Sequence, residues 1–252
     1  MSFVQWLTGQ IGRAQDAVLR RLHEDRAYAE AMSRHPLHAC VGEWVDNQVG
    51  VKVLELGCGP GKYVAMLGNL GFEVTGVDPC TFPTWDLLRS RRTCRLLSEI
   101  RAESLPFESG SFDHVVCLGA LLYFHNPARA LAEMRRVVRE GGHLVLRTVN
   151  KHNLYTRRTG LRLDPASRQL YGRDELQRLI QEAGFVVARS FSYGFWPPWC
   201  GRIWWYLVCV WLPDWVQERL SDLLDEQHRI NHVVFAVAGP TGGLTADIGI
   251  TA

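Results

Sequence analysis

The 252 residues contain no C-x-x-C pair and no cysteine–histidine spacing of a metal site, although seven cysteines are present, at positions 40, 58, 80, 94, 117, 200 and 209. That excludes a zinc ribbon or a dithiol redox motif, and it argues against a disulfide framework. Cys58 and Cys117 fall inside apolar stretches, where a free thiol behaves as a small hydrophobe. Long basic runs are also missing. Lys and Arg are scattered to a net charge of +2, and the cluster Arg89, Arg91 and Arg92 has the character of a solvated helix face. No nucleic-acid partner is expected. The opening Met1-Ser2-Phe3-Val4-Gln5-Trp6 lacks a basic region, and Gln10, Arg13 and Asp16 soon interrupt the apolar positions. No signal peptide is read there, so the expected location is cytoplasmic. No Ser-His-Asp or metal-hydrolase constellation is apparent.

What is present is an ordinary globular composition, 47% hydrophobic and 21% charged, long enough to bury one sizeable core. We expect one domain over 1–240, with helices in 1–50, a binding core in 51–150 and a disordered tail at 241–252. In the first segment Val4, Leu7, Ile11, Ala14, Val18 and Leu22 recur at helical spacing and paint one apolar stripe. From Val51 the rhythm changes to short apolar strands alternating with helical segments. Strands are expected at 51–56, 72–77, 95–97, 114–118, 143–146, 185–188 and 233–237. Helices are expected over 62–70, from about Leu131 to a stop at Gly141-Gly142, and over 174–183. Such alternation requires crossover connections, hence a doubly wound α/β fold with a mostly parallel sheet. Ligands of these sheets bind beyond the carboxyl ends of the strands, so chemistry is sought after Leu56, Val77, Leu118 and Leu146.

The first of those places carries Glu55-Leu56-Gly57-Cys58-Gly59-Pro60-Gly61. Glycines let a backbone turn tightly and approach a ligand closely. Nicotinamide and flavin sites use a related loop, but three details disagree with them. A dinucleotide fingerprint needs a small residue where Lys62 stands. A pyrophosphate needs backbone donors at the helix start, and Pro60 supplies none. Glu55 would repel a diphosphate and favour a cation. Asp78 then follows the second strand, about twenty residues after the first glycine, where an acidic side chain meets adenosine ribose hydroxyls in this architecture. The plainer reading of Asp78 is a cap on the turn at Pro79.

Glu55 to Gly61, Asp78, Ala102-Glu103-Ser104-Leu105-Pro106-Phe107, Ser111-Phe112-Asp113 and Glu133 through Gly142 together resemble the ubiquinone/menaquinone-biosynthesis type of class I methyltransferase. The resemblance covers about residues 50–150, and Tyr171 to Phe185 resembles the family's later helix and Ala-Gly-Phe segment. It implies a Rossmann-like, seven-stranded methyltransferase sheet with its last strand antiparallel, and S-adenosyl-L-methionine as cofactor. It further implies that Glu55, Gly57, Cys58, Gly59 and Gly61 hold the methionine end, Asp78 the ribose, and Ala102 the adenine through its backbone. Leu118 and Tyr123 would line the site from the loop after the fourth strand. Relatives often carry an Asp just before the Ala-Glu pair; here Arg101 stands there and offers no acceptor, which leaves adenine to Glu103 or to backbone.

The methyl acceptor stays open at this point. His35, Tyr123 and His125 are the candidates for a base or a site-shaping role, and each histidine also reads as a structural neighbour of a proline-containing turn. Residues 195–231 form a Trp-rich insertion before the last strand, holding six of the nine tryptophans. Its apolar run at 203–212 is about half the length of a transmembrane helix. A buried helix, a tunnel for an apolar acceptor, and a peripheral membrane contact compete as readings. A small lipid-, quinone- or polyketide-like acceptor methylated on oxygen or carbon is expected. The alternatives are a non-catalytic subunit of the same fold that stabilises a partner, and an RNA methyltransferase.

Overall fold

The computed structural model describes residues 16–35, 38–45, 50–153, 169–195 and 229–240. The run 196–228, the tail 241–252 and the stripe positions Val4, Leu7, Ile11 and Ala14 lie outside the described residues. The described helices are α1 (16–24), α2 (Arg26–Ser33), α3 (Val41–Trp44), α4 (Lys62–Leu70), α5 (Trp85–Leu88), α6 (Pro127–Val137) and α7 (Arg173–Glu182). The strands are β1 (Lys52–Leu56), β2 (Glu73–Val77), β3 (Cys94–Leu97), β4 (Phe112–Leu118), β5 (Val138–Val149), β6 (Phe185–Phe195) and β7 (Arg229–Ala238).

The seven strands form one sheet in the order β3-β2-β1-β4-β5-β7-β6. β1 through β5 pair in parallel, and β7 runs antiparallel to both β5 and β6. The order reverses between β1 and β4, so the crevice of this fold opens beyond the ends of those two strands. Both faces are covered, as a parallel sheet requires. Val53, Val74, Val116 and Val145 face α4 and the N-terminal helices. Leu54, Leu56, Val115, Cys117 and Leu144 face α6 and α7. Side chains alternate along a strand, so Glu55 shares the face of Val53 and is carried beneath α4. Leu22 and Ala29 are fully buried in that same layer, and Asn69 donates to the Leu22 carbonyl at 3.0 Å.

Most elements lie where the pattern of the chain puts them, but β6 runs on to Phe195 and β7 begins at Arg229, so both strands enter the bounds 195–231 expected for the insertion, and one helix boundary is also displaced. The helix expected to run to Gly141-Gly142 ends at Val137, and β5 starts at once with Val138 opposite Phe112. The register then slips, and His143 pairs with His114. The glycines stop no helix. They form a bulge in β5, where Gly141 is left-handed at φ 69° and a Cβ on Gly142 would meet the Asp113 carbonyl at 2.2 Å.

Candidate active site

β1 delivers the chain into the Gly-rich loop at the switch point. The Gly57 and Cys58 amides both donate to the Val77 carbonyl, at 2.8 and 3.1 Å, which pins the loop between β1 and β2. Its other carbonyls are held from α5: Trp85 Nε1 donates to Gly59 at 2.7 Å, and Thr84 Oγ1 donates to Pro60 at 2.8 Å. Asp78, at the end of β2, accepts from the Gly59 amide at 3.0 Å and from the Cys80 amide at 2.9 Å. Asp78 therefore caps its own turn and fastens the loop as well. Each carboxylate oxygen keeps a further lone pair for a hydroxyl donor.

Two cavities flank this loop and share Gly57, Gly59, Pro60, Phe82 and Leu118 in their walls. The first, of about 700 Å³, lies toward Glu55, Cys58, Lys62, Tyr63, His38 and Arg147. The second, of about 660 Å³, lies toward Asp78, Arg101, Ala102, Glu103, Tyr123 and His125. Gly59 has φ 50°, and no atom lies within 4 Å of where its Cβ would stand, so the loop leaves open space at the junction. Gly61 is different. It lines neither cavity, and a Cβ there would strike Leu88 at 2.4 Å, so its lack of a side chain serves packing beneath the loop.

Glu55 is 2% exposed, and its Oε2 has no hydrogen-bond partner among the described residues. Burial pushes its carboxyl up to about 8, against an opposing hydrogen bond from the Val64 amide. A buried acid in that state is strained toward neutrality until a cation arrives. Opposite it, His38 Nδ1 lies 3.2 Å from Tyr63 Oη. Burial, and then the charges of Lys62 and Arg147, push the imidazole down to about 2, so it stays neutral. Ala39 and Cys40, which follow it, are both left-handed without being glycine (φ 59° and 46°), the kind of strain that holds a side chain in place.

In the second cavity Glu103 does not turn toward an adenine with its whole carboxylate. Its Oε1 accepts from the His125 and Asn126 amides at 2.8 and 3.2 Å and so shapes the entry to α6. Arg101 is exposed, with Nη1 3.3 Å from His125 Nδ1. The three candidates for catalysis are not brought together. Tyr123 and His125 sit at the rim of the second cavity, while His35 lines neither cavity and meets the Tyr193 ring at 6.4 Å. His38 and Arg147 were not singled out in the sequence, although Arg147 directly follows Leu146, a strand end already marked as a place for chemistry. Among the described residues no group of three His, Cys, Asp or Glu could hold a metal ion.

Residues 54–146 match the family described as a methyltransferase domain. The chain carries a class I methyltransferase domain. Ubiquinone biosynthesis O-methyltransferase of Pseudomonas aeruginosa is 30% identical to it over 128 residues, covering 47% of this chain and 54% of that protein. An uncharacterized methyltransferase of Mycobacterium bovis is 35% identical over 122 residues, covering 48% of each. The chain thus spans about half the length of the curated relatives it matches. Among solved structures, the [4+2]-cyclase SpnF superposes with a TM-score of 0.58 at 21% identity, covering 82% of this chain and 81% of that one. A SAM-dependent methyltransferase of Archaeoglobus fulgidus gives 0.58 at 14%, covering 84% and 94%. These two likenesses show the fold alone. The matched segment contains the whole Gly-rich loop, Asp78, Ala102, Glu103, Leu118 and Tyr123. No helix among the described residues is long and apolar enough to cross a membrane.

Proposed function

We propose that this protein is an S-adenosyl-L-methionine-dependent methyltransferase acting on a small acceptor with an apolar body, at oxygen or carbon. The observation that carries the reading is the unpartnered Oε2 of Glu55, fully buried at one wall of a cavity that runs past the Gly-rich loop. A buried acceptor oxygen without a donor costs about 1–3 kcal/mol, and an amino-acid ammonium supplies both the donor and the charge. S-adenosyl-L-methionine, when bound, provides a methyl group already activated on a positively charged sulfur. Glu55 and Cys58, with the Gly57–Gly59 backbone, would hold its methionine end. Asp78 would take the ribose hydroxyls; Ala102 and Leu118 would flank the adenosine, with Glu103 fixing the loop behind it. Tyr123 stands at the rim. The chain's own task is then orientation of the two reactants, which supplies much of the rate in reactions of this kind. Val18, Leu19, Phe82 and Leu118 give the first cavity an apolar wall suited to a quinone-, polyketide- or lipid-like body.

Calorimetry tests the reading. S-adenosylhomocysteine should bind to the purified chain and NAD should not, because Pro60 and Glu55 disfavour a diphosphate. Gly59→Val should abolish that binding in a chain whose circular dichroism is unchanged, since its side chain would stand in the open junction. Normal affinity in a folded Gly59→Val chain would place the ligand elsewhere. Tight binding with no methyl transfer to any acceptor would favour a partner-stabilising subunit.

A further inference from the structure

Tyr63 and His38 form a buried pair in the wall of the first cavity. His38 is fixed by its backbone: its amide donates to the His35 carbonyl at 2.9 Å, and the left-handed Ala39 and Cys40 follow it. β5 brings Arg147 to the same place by register, opposite Leu118 of β4, and Arg147 hydrogen-bonds the Tyr63 hydroxyl. A guanidinium only donates, so the hydroxyl oxygen is the acceptor there. The hydroxyl proton then needs an acceptor of its own, and His38 Nδ1 stands beside it at 3.2 Å. A ring nitrogen that accepts is unprotonated, which places the proton of the neutral imidazole on Nε2. Among the described residues Nε2 meets no partner, and His38 lines the cavity. The charged groups that bear on this ring are Lys62, Arg147 and His35; those that bear on Glu55 are Asp78 and Arg147. Arg147 thus stands between the two, and His38 lies toward the end of the cavity away from the acid.

We propose that His38 reads the methyl acceptor through its Nε2–H, as a fixed hydrogen-bond donor to a carbonyl oxygen of that molecule, with Tyr63 as the positioning residue that holds the tautomer. This rests on the methyltransferase reading above, with the cofactor's ammonium at Glu55. An uncharged donor suits an uncharged oxygen, and a ketone, quinone or ester carbonyl only accepts. An amine or ammonium would set donor against donor, beside the positive charges of Lys62 and Arg147. A space of about 700 Å³ is the size that receives a whole small molecule, and Val18, Leu19 and Phe82 wall it for an apolar body. The same relay removes His38 as a base, because the nitrogen left for a ligand already carries its proton.

Two measurements test it. In a chain with isotope-labelled histidine nitrogens, long-range proton–nitrogen spectra should show His38 in the Nε2–H form at neutral pH. A proton on Nδ1 overturns the proposal without any substitution. Tyr63→Phe should mix the two tautomers, and a variant that keeps the Nε2–H form alone would take the positioning role from Tyr63. The second measurement uses α-tetralone and tetralin, which differ by one carbonyl, on chains saturated with S-adenosylhomocysteine. The ratio of their affinities should fall about fivefold in His38→Phe, the worth of one hydrogen bond. It should survive in His38→Gln, whose amide nitrogen reaches the Nε2 position. Equal ratios in the three chains, or no tetralone binding to the wild type, overturn the proposal. Affinity for S-adenosylhomocysteine is measured first in each chain, so a failure of the cofactor reading shows itself separately. A loss of about tenfold in His38→Phe that is absent with 5′-methylthioadenosine, which lacks the carboxylate, would give the donor to the cofactor and also overturn the proposal.

Discussion

The two ends of the sheet treat charge in opposite ways. At the end where β4 begins, Asp113 accepts from the Lys52 amide at 2.8 Å and from Arg139 Nε at 2.7 Å. Nearby, Glu133 accepts from the Leu105 amide and pairs with Arg136 at 2.7 Å. These acids are complete within the fold. At the end where β1 stops, Glu55 is more deeply buried, with one oxygen unpartnered, and Lys62 lines the same cavity without a counterion among the described residues. Deep burial without a partner is the costlier arrangement, and the ammonium of the proposed cofactor would complete it. Acids that resemble the family's motif can therefore be scaffold or site, and pairing tells them apart.

The contrast breaks if substitutions at the two ends have the same effect. The largest effect is expected from Glu55→Gln, which should weaken S-adenosylhomocysteine by about 2–5 kcal/mol, the range for one lost member of a buried charge pair. Titration calorimetry measures it, and a change below tenfold would move the ammonium site elsewhere. Asp78→Ala should come next, at about 1.5–3 kcal/mol of affinity. Part of that loss is indirect, through the freed Gly59 amide, so Asp78→Asn should recover a fraction of it. Asp113→Ala should cost about 1–2 kcal/mol of stability in urea melts while leaving cofactor affinity within twofold.

The smallest effect sharpens the comparison through pH. Glu55 has a folded value raised to about 8, so its neutral form contributes stability that is full below the ordinary carboxylate range and is lost as pH rises through about 8. Asp113 has the opposite sign. Burial works against its ionised form, but the Lys52 amide and Arg139 outweigh that and hold it below the ordinary range. Its contribution is present above the unfolded value and fades as pH falls. Thermal melts of the ligand-free chain should show Glu55→Gln gaining a few degrees on the wild type as pH approaches 8, and Asp113→Ala closing its gap in acid. Parallel curves for both variants would contradict the assignment.

The strand–helix alternation was legible because parallel strands buried on both faces leave near-continuous apolar runs, and the Gly-rich loop was legible because its spacing is local. Asp78, Ala102 and Tyr123, each read from a local motif, lie along the wall of one cavity. The other cavity was much less readable. Arg147 reaches it only through the pairing of β5 with β4, and a long-range register leaves no mark in a local window. His38 reaches it through left-handed turns at Ala39 and Cys40, residues that carry no turn signal. Gly141-Gly142 misled because glycine marks a helix stop and a strand bulge alike. Gly61 shared the motif of its neighbours, but what it approaches is Leu88.

The indole of Trp85, outside both cavities, and the hydroxyl of Thr84, at the wall of the first, hold two successive carbonyls of the Gly-rich loop. The segment after β2 thereby acts as a tensioner, since a displacement of α5 by a fraction of an ångström is handed directly to the backbone that faces the ligand. Mutational drift at 82–88 would thus retune affinity without touching any residue of the binding motif. The nearly inaccessible Trp85, 1% exposed, thus ties the buried layer under α5 to the loop through a single indole hydrogen bond.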